Sequence, residues 1–147
     1  TGYYKDPEKT AETIVDGWLH TGDVGHIDAH GFLHLTDRKK DMIITGGFNV
    51  YPAMVEQVLW AHPAVQDCAV IGVPDDKWGE AVKAVVELTP GQTVPADELI
   101  ALCKDKLGSV MAPKSVDLIE RLPRSAAGKV LKKDLRAVYW QGRATRI

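Results

Sequence analysis

Apolar positions in the first forty residues change period several times. Ala11, Ile14 and Val15 recur at i, i+3 and i+4, which is one face of a helix. Asp6-Pro7-Glu8 in front of them is a helix start, an N-cap acid followed by proline at the first helical position. Asp16-Gly17 ends that helix. Two short runs, Gly22–Ile27 and Phe32–Thr36, then flank Asp28-Ala29-His30-Gly31, which predicts a β-hairpin closed on a glycine. Five consecutive charges follow, Asp37-Arg38-Lys39-Lys40-Asp41. They leave no side chain to bury, so this segment is predicted to be an exposed connection and a candidate linker.

The pattern beyond the linker is more regular. Met42-Ile43-Ile44 is a short apolar strand running into Thr45-Gly46-Gly47. Pro52 to Ala61 is a helix with Val55, Val58 and Leu59 inward, ended by His62-Pro63. Val65–Val73 is almost wholly apolar and predicts a central strand. Pro74 to Gly79 is a turn. From Glu80 to Leu88 the chain alternates, with Val82, Ala84, Val86 and Leu88 on one side and Ala81, Lys83, Val85 and Glu87 on the other. Pro95–Leu107 is a helix with Leu99, Ile100, Cys103 and Leu107 inward, Ser115–Glu120 a strand, and Leu122–Gly128 a loop. Lys132–Tyr139 is a last helix with Leu135 and Val138 inward. The expected fold class is α+β: a small mixed or antiparallel sheet of about three strands with helices on one face, preceded by a β-hairpin.

Composition adds little to this and excludes some classes. The chain has 147 residues, 45% hydrophobic and 26% charged, ordinary values for a soluble globular protein. No apolar run approaches the roughly 20 residues of a membrane span, so no transmembrane segment is expected. No leader is expected either, and a chain that opens on Thr1 reads as a cut or mature piece. Cys68 and Cys103 lie in apolar runs and read as small buried hydrophobes of a reducing, cytoplasmic protein. No Cys-x-x-Cys spacing exists. His26, His30 and His34 are spaced by four but lie on a hairpin, so no metal site is expected. Whether His26 and His34 share a face depends on the turn register.

Charge changes the picture more. The net charge is −2, but from Arg121 onward there are eight basic residues and one acid, Asp134. That end carries +7 and the remainder −9. A basic end can meet phosphates, nucleic acid or acidic lipid, or it can simply be a solvated helix.

Several nucleotide and nucleophile motifs fail. Gly128-Lys129 lacks the partners of a phosphate loop, since Pro123 and Val130 stand where Gly and Ser or Thr are needed. Neither Gly-x-Gly-x-x-Gly nor Gly-x-Ser-x-Gly occurs. Three clusters remain. In Trp18-Leu19-His20-Thr21-Gly22-Asp23 a carboxylate at a strand start can accept two hydrogen bonds from a diol such as ribose, or can be an ordinary turn acid. Asp37 to Asp41 leads to Thr45-Gly46-Gly47-Phe48-Asn49. There Arg38 can bind phosphate or ribose oxygens and adjacent glycines let a backbone approach a ligand, or the segment is a plain hairpin loop. In Pro123-Arg124-Ser125-Ala126-Ala127-Gly128-Lys129 a lysine ends a loop of small residues. It can reach an anion, or it is one more surface lysine.

Together the three clusters carry a resemblance. Gly-Trp-Leu-His-Thr-Gly-Asp, Asp-Arg-Lys-Lys-Asp-Met-Ile, Gly-Gly-Phe-Asn-Val-Tyr-Pro and Leu-Pro-Arg-Ser-Ala-Ala-Gly-Lys stand in the order seen in adenylate-forming enzymes. The chain resembles the C-terminal part of an AMP-forming acyl-CoA synthetase of the fatty-acid–CoA ligase type, from Gly2 to about Arg136. The family usually has Tyr-Lys-x-Pro where this chain has Val110-Met111-Ala112-Pro113.

The resemblance implies an ATP-dependent ligase that makes an acyl-adenylate and pyrophosphate, then a thioester to CoA, with Mg²⁺ serving the nucleotide. It implies no metal or prosthetic group held by this segment. Residues 1–37 would end the large N-terminal domain, and 38–147 would be the mobile C-terminal domain with its hinge near Lys40. Asp23 would hold the ribose hydroxyls of ATP or AMP, and Arg38 the same nucleotide. Lys129 would be the catalytic cation of adenylation. Gly46, Gly47, Phe48 and Asn49 would line the CoA path. The partners would be the missing N-terminal domain, ATP, fatty acid and CoA, with no nucleic acid, and the segment alone would be inactive. Two alternatives are an adenylation domain that loads a carrier protein and a nucleic-acid-binding module.

Overall fold

The structure, a computed structural model, describes residues 2–142. Arg143 and Arg146 of the basic end, and Thr1, lie outside them. The described chain divides into two compact units between Lys40 and Asp41.

The first unit is built from local pairings. Helix α1 (Pro7–Thr13) starts where expected, with the Asp6 carboxylate accepting a hydrogen bond from the Lys9 backbone N–H at 3.0 Å. It ends sooner than the apolar spacing suggests. Ile14–Val15 is strand β1, paired with β2 (Trp18–Leu19) across Asp16-Gly17. Both turn residues have positive φ, 50° and 82°, the geometry that matches the twist of a two-residue hairpin. A tight turn beside two β-branched residues outcompetes one more helical turn. Strands β3 (Asp23–Ile27) and β4 (Leu33–Arg38) form the expected hairpin. Strand β4 absorbs Asp37 and Arg38, so the predicted linker shrinks to a single 3-10 turn, Lys39–Asp41. His26 and His34 are direct register partners, and their rings stack 5.1 Å apart.

The second unit is one five-stranded sheet with helices on it, consistent with the expected α+β class. Strands β5 (Ile43–Thr45) and β6 (Phe48–Val50) form a hairpin. Strands β7 (Val65–Asp75) and β8 (Gly79–Leu88) are long and antiparallel, and β9 (Ser115–Ile119) runs parallel to β8. The sheet exceeds the expected three strands because the Gly-Gly hairpin joins it, through Thr45 opposite Gly79.

Two expectations need correction. The first concerns Val65–Val73, expected to be central. Strand β8 is central, with β7 on one edge and β5 and β9 along the other. The outer edge of β7 is covered by side chains. The Val70 N–H donates to Glu56 at 2.7 Å, and the Gly72 carbonyl accepts from the Trp140 indole at 3.0 Å. An all-apolar run reports burial on two faces, and says nothing of pairing on two edges.

The second correction is that helices cover both faces. Helices α2 (Pro52–Trp60) and α3 (Ala96–Leu107) pack Val55, Leu59, Leu99 and Cys103 against Cys68, Val70, Val82, Ala84 and Val86. On the opposite face Leu122, with Leu135 and Tyr139 of α4 (Lys132–Tyr139), packs against Ala69, Ile71 and Val85. Val138, expected inward, is 65% exposed, because Tyr139 takes that place at i+4 from Leu135. The covered second face explains why Lys83 and Glu87 are buried polar residues and not a solvated stripe.

Candidate functional site

In the first unit, Asp23 opens β3 and Arg38 closes β4, and the two are register partners. The hairpin therefore sets them side by side, with Arg38 Nε 2.8 Å from Asp23 Oδ1. A second Arg38 nitrogen donates to the Thr21 carbonyl at 3.4 Å. The hairpin brings together an acid and a cation that sequence spacing separates by fifteen residues.

In the second unit, Gly46 and Gly47 form the two-residue turn between β5 and β6, with φ of 56° and 84°. The backbone conformation favours glycine at both, and space demands it at Gly46. A Cβ there would lie 2.5 Å from the Trp78 ring. The Gly46 N–H also donates to the Trp78 carbonyl at 2.8 Å. Beside this turn is a cleft of about 250 Å³, lined mainly by Phe48, Trp78, Val110 and Lys114. Phe48 and Asn49 are both exposed, and Asn49 pairs with Ile44. Trp78 stands in a turn that is polar by sequence and has no role predicted for it there. A tryptophan among Asp75-Asp76-Lys77 and Gly79 is the signal that was available.

Lys129 sits on a hairpin-like loop. Arg124 and Val130 form an antiparallel bridge, and the Ser125 N–H donates to the Lys129 carbonyl at 2.8 Å. The Lys129 N–H donates to Ser125 Oγ at 3.2 Å, while an Arg124 nitrogen donates to the Gly128 carbonyl at 3.1 Å. The backbone around Lys129 is thus held on both sides. Its side chain is exposed, and among the described residues its Nζ makes no ion pair or hydrogen bond.

Its basic neighbours differ. Arg124 pairs with Asp67, Lys132 with Glu56 at 2.7 Å, and Arg136 with Asp41 at 2.6 Å. Burial pushes the Asp67 carboxyl up, but hydrogen bonds from Arg124, Trp60 and the Cys68 N–H outweigh it and hold the group below the usual carboxylate range. Of the six basic residues of this end that the structure describes, three are therefore held in ion pairs.

The Gly46-Gly47 turn and the Lys129 loop are rooted at opposite ends of β8. The turn meets it at Gly79, whereas the loop begins where the Leu122 N–H donates to Glu87 at 2.9 Å. Eight residues of strand separate those roots, roughly 26 Å at about 3.3 Å each.

The family model for the AMP-binding enzyme C-terminal domain matches residues 54–129, more than half of the chain. This chain belongs to that family, within the adenylate-forming enzymes. Relatives of this AMP-binding C-terminal domain include acyl-CoA ligases and a fatty acid–[acyl-carrier-protein] ligase, ScoC of Streptomyces coeruleorubidus, 43% identical over 99% of this chain and 28% of ScoC. Feruloyl-CoA synthase of an Amycolatopsis species is 50% identical over 135 residues, covering 92% of this chain and 28% of the synthase. The medium/long-chain-fatty-acid–CoA ligase FadD8 of Mycobacterium tuberculosis is 48% identical over 148 residues, covering 96% of this chain and 26% of FadD8. The crystal structure of ATP-bound MatB from Rhodopseudomonas palustris is similar with a TM-score of 0.87 and 42% identity, over 94% of this chain and 28% of MatB. The chain thus spans little more than a quarter of the length of these relatives.

Proposed function

We propose that this chain is the C-terminal part of an AMP-forming fatty-acyl-CoA ligase. The whole enzyme joins a carboxylate to ATP as acyl-adenylate, releasing pyrophosphate, and then transfers the acyl group to the thiol of CoA. Residues 1–37 end the large N-terminal domain, residues 38–147 form the mobile domain, and Lys40 is the hinge. The observation that carries this reading is Lys129, a cation without a partner among the described residues, on a pinned loop whose neighbours Arg124, Lys132 and Arg136 are engaged in ion pairs. Fatty acid as the acyl class is supported by the Phe48-Asn49-Val50-Tyr51-Pro52 wording and by the likeness to FadD8.

The chemistry follows from charge. A carboxylate attacking a phosphate brings two anions together, and a cation between them lowers that repulsion, most of all where water is scarce. Lys129 fills that role at the α-phosphate. Asp23 accepts hydrogen bonds from the ribose hydroxyls, and Arg38 orients Asp23 and meets the same nucleotide. Gly46, Gly47, Phe48 and Asn49 line the thiol path of the second step. Rotation about Lys40 exchanges one end of β8 for the other at the reaction centre. Mg²⁺ enters with the nucleotide, and no residue of this chain is assigned to it. Cytoplasmic residence accords with the two free, buried thiols, and no helix among the described residues is long and apolar enough to cross a membrane.

Two measurements test this. In the full-length enzyme, Lys129→Ala slows adenylation by about 10²–10³, the scale for losing one electrostatic stabiliser. Thioester formation from supplied acyl-adenylate stays nearly unchanged. Equal loss in both half-reactions would contradict the assignment. The 147-residue chain alone releases no pyrophosphate above background from ATP and a fatty acid, and release would show that it holds a complete site.

A further inference from the structure

The reach of a lysine side chain is useful only if its Cα is fixed. Lysine has four rotatable carbons and a compact charge, so it carries little orientation of its own. The peptide group between Gly128 and Lys129 is held at both of its polar atoms. Its N–H donates to Ser125 Oγ at 3.2 Å, and its carbonyl accepts from Arg124 at 3.1 Å. The second terminal nitrogen of Arg124 is bound to the Asp67 carboxylate. Asp67 lies on β7 directly opposite Glu87 of β8, and its other oxygen accepts from the Trp60 indole at 2.9 Å and the Cys68 N–H at 2.8 Å. One guanidinium therefore ties the peptide before Lys129 to the sheet and, through Trp60, to the end of α2.

We propose that Arg124 is a positioning residue for Lys129, fixing the Gly128–Lys129 peptide by bridging the Gly128 carbonyl to Asp67. This rests on the reading of Lys129 as the adenylation cation. The bridge needs a planar fork with two donors in fixed directions. A lysine at 124 keeps the charge beside Asp67 but does not span both acceptors in that geometry. Arg124 touches neither reacting atom in this scheme, so its whole effect passes through Lys129.

The test is a double-mutant cycle in the full-length enzyme, read as substrate-dependent ATP–pyrophosphate exchange, thioester formation from supplied acyl-adenylate, and melting temperature. Arg124→Gln and Arg124→Lys are each expected to slow adenylation about 10-fold, on the scale of a lost charge-assisted hydrogen bond. Thioester formation is unchanged, and adding Arg124→Gln to Lys129→Ala has no further effect. If Arg124→Gln lowers the yield of folded enzyme, Asp67→Asn carries the same test, since it keeps the shape and removes the anion.

Independent, multiplying effects of Arg124→Gln and Lys129→Ala would overturn the proposal and leave Lys129 in its role. So would equal loss in both half-reactions, the mark of a merely structural arginine. Full adenylation activity in Lys129→Ala would instead remove the reading on which the proposal stands.

Discussion

The two units use the same kinds of contact to different effect. In residues 2–40 most apolar side chains of the strands are exposed, Trp18 to 76% and Leu35 to 63%, Ile14 and Val24 are only half-buried, and no residue of α1 is buried. In residues 41–142 both faces of the sheet are covered, and Leu59, Leu99, Val70 and Val86 are fully buried. The first unit has sequence suited to a core without a core of its own. Such a pattern marks a surface designed to be covered by further chain. Relatives nearly four times as long match that reading. A hairpin can hold its shape by local pairing, but it acquires stability only from what packs against it.

The largest effect should come from cutting into the covered sheet. Leu59→Ala removes a side chain with no exposure from the α2 face and is expected to cost about 2–5 kcal/mol in urea unfolding of this chain. Leu35→Ala makes the same chemical change on β4 and should leave the midpoint where it is. In the full-length enzyme Leu35→Ala becomes costly if the first unit belongs to the large domain. A large loss from Leu35→Ala in the 147-residue chain alone would break the contrast.

This contrast also separates what could be read from sequence from what could not. Element types were legible almost throughout, because the period of apolar residues and the turn residues agree, as in β8 and at Asp6-Pro7. The Gly46-Gly47 turn and the Lys129 loop were legible as motifs. Strand order was not, since Val65–Val73 announces two buried faces and leaves its edges unstated. The burial of Lys83 and Glu87 was hidden too. Their partners come from residues 34 and 35 positions away, and no local pattern links such distant positions. Arg124 and Asp67 were missed as a pair for the same reason, with 57 residues between them.

A middle-sized effect tests the buried polar network on the second face. Lys83 Nζ lies 2.6 Å from Asp117 Oδ1 and 4.9 Å from the centre of the Tyr139 ring, and the Tyr139 hydroxyl donates to the other Asp117 oxygen. Asp117→Ala strands a buried ammonium. Breaking a fully buried pair costs about 3–5 kcal/mol, but the Asp117 side chain is partly solvated, so about 2 kcal/mol is expected here. Lys83→Met in the same background should recover most of the loss by removing the orphaned charge. Failure of that rescue would mean that Asp117 serves α4 through Tyr139 alone.

The smallest effect is the most discriminating, because it compares two contacts of nearly equal length. His34 lies 2.7 Å from Asp28 on the first hairpin, and Lys83 lies 2.6 Å from Asp117 in the sheet. The His34 hydrogen bond, helped by backbone N–H groups, holds the Asp28 carboxyl below its usual range in an open setting. At Asp117 burial pushes the carboxyl up, but hydrogen bonds from Lys83 and Tyr139 outweigh it and hold it low. Burial and the Asp117 charge push the Tyr139 hydroxyl up to about 12. A lowered carboxyl stabilises the fold above its unfolded value of about 3.9, and that contribution is lost as pH falls through the folded value. A raised phenol works in the opposite sense. Its contribution is complete below the unfolded value of about 10 and is lost as pH rises toward about 12. Urea unfolding from pH 2 to 12 should therefore show wild type losing stability at both ends. Asp117→Asn should flatten both limbs and Tyr139→Phe the alkaline one. Asp28→Asn should flatten the acid limb less than Asp117→Asn does and leave the alkaline limb alone, because its partner sits in an open, solvent-screened setting. If Asp28→Asn flattens the acid limb as much as Asp117→Asn does, contact distance and not cover by the sheet governs these pairs, and the contrast between the two units fails for charge.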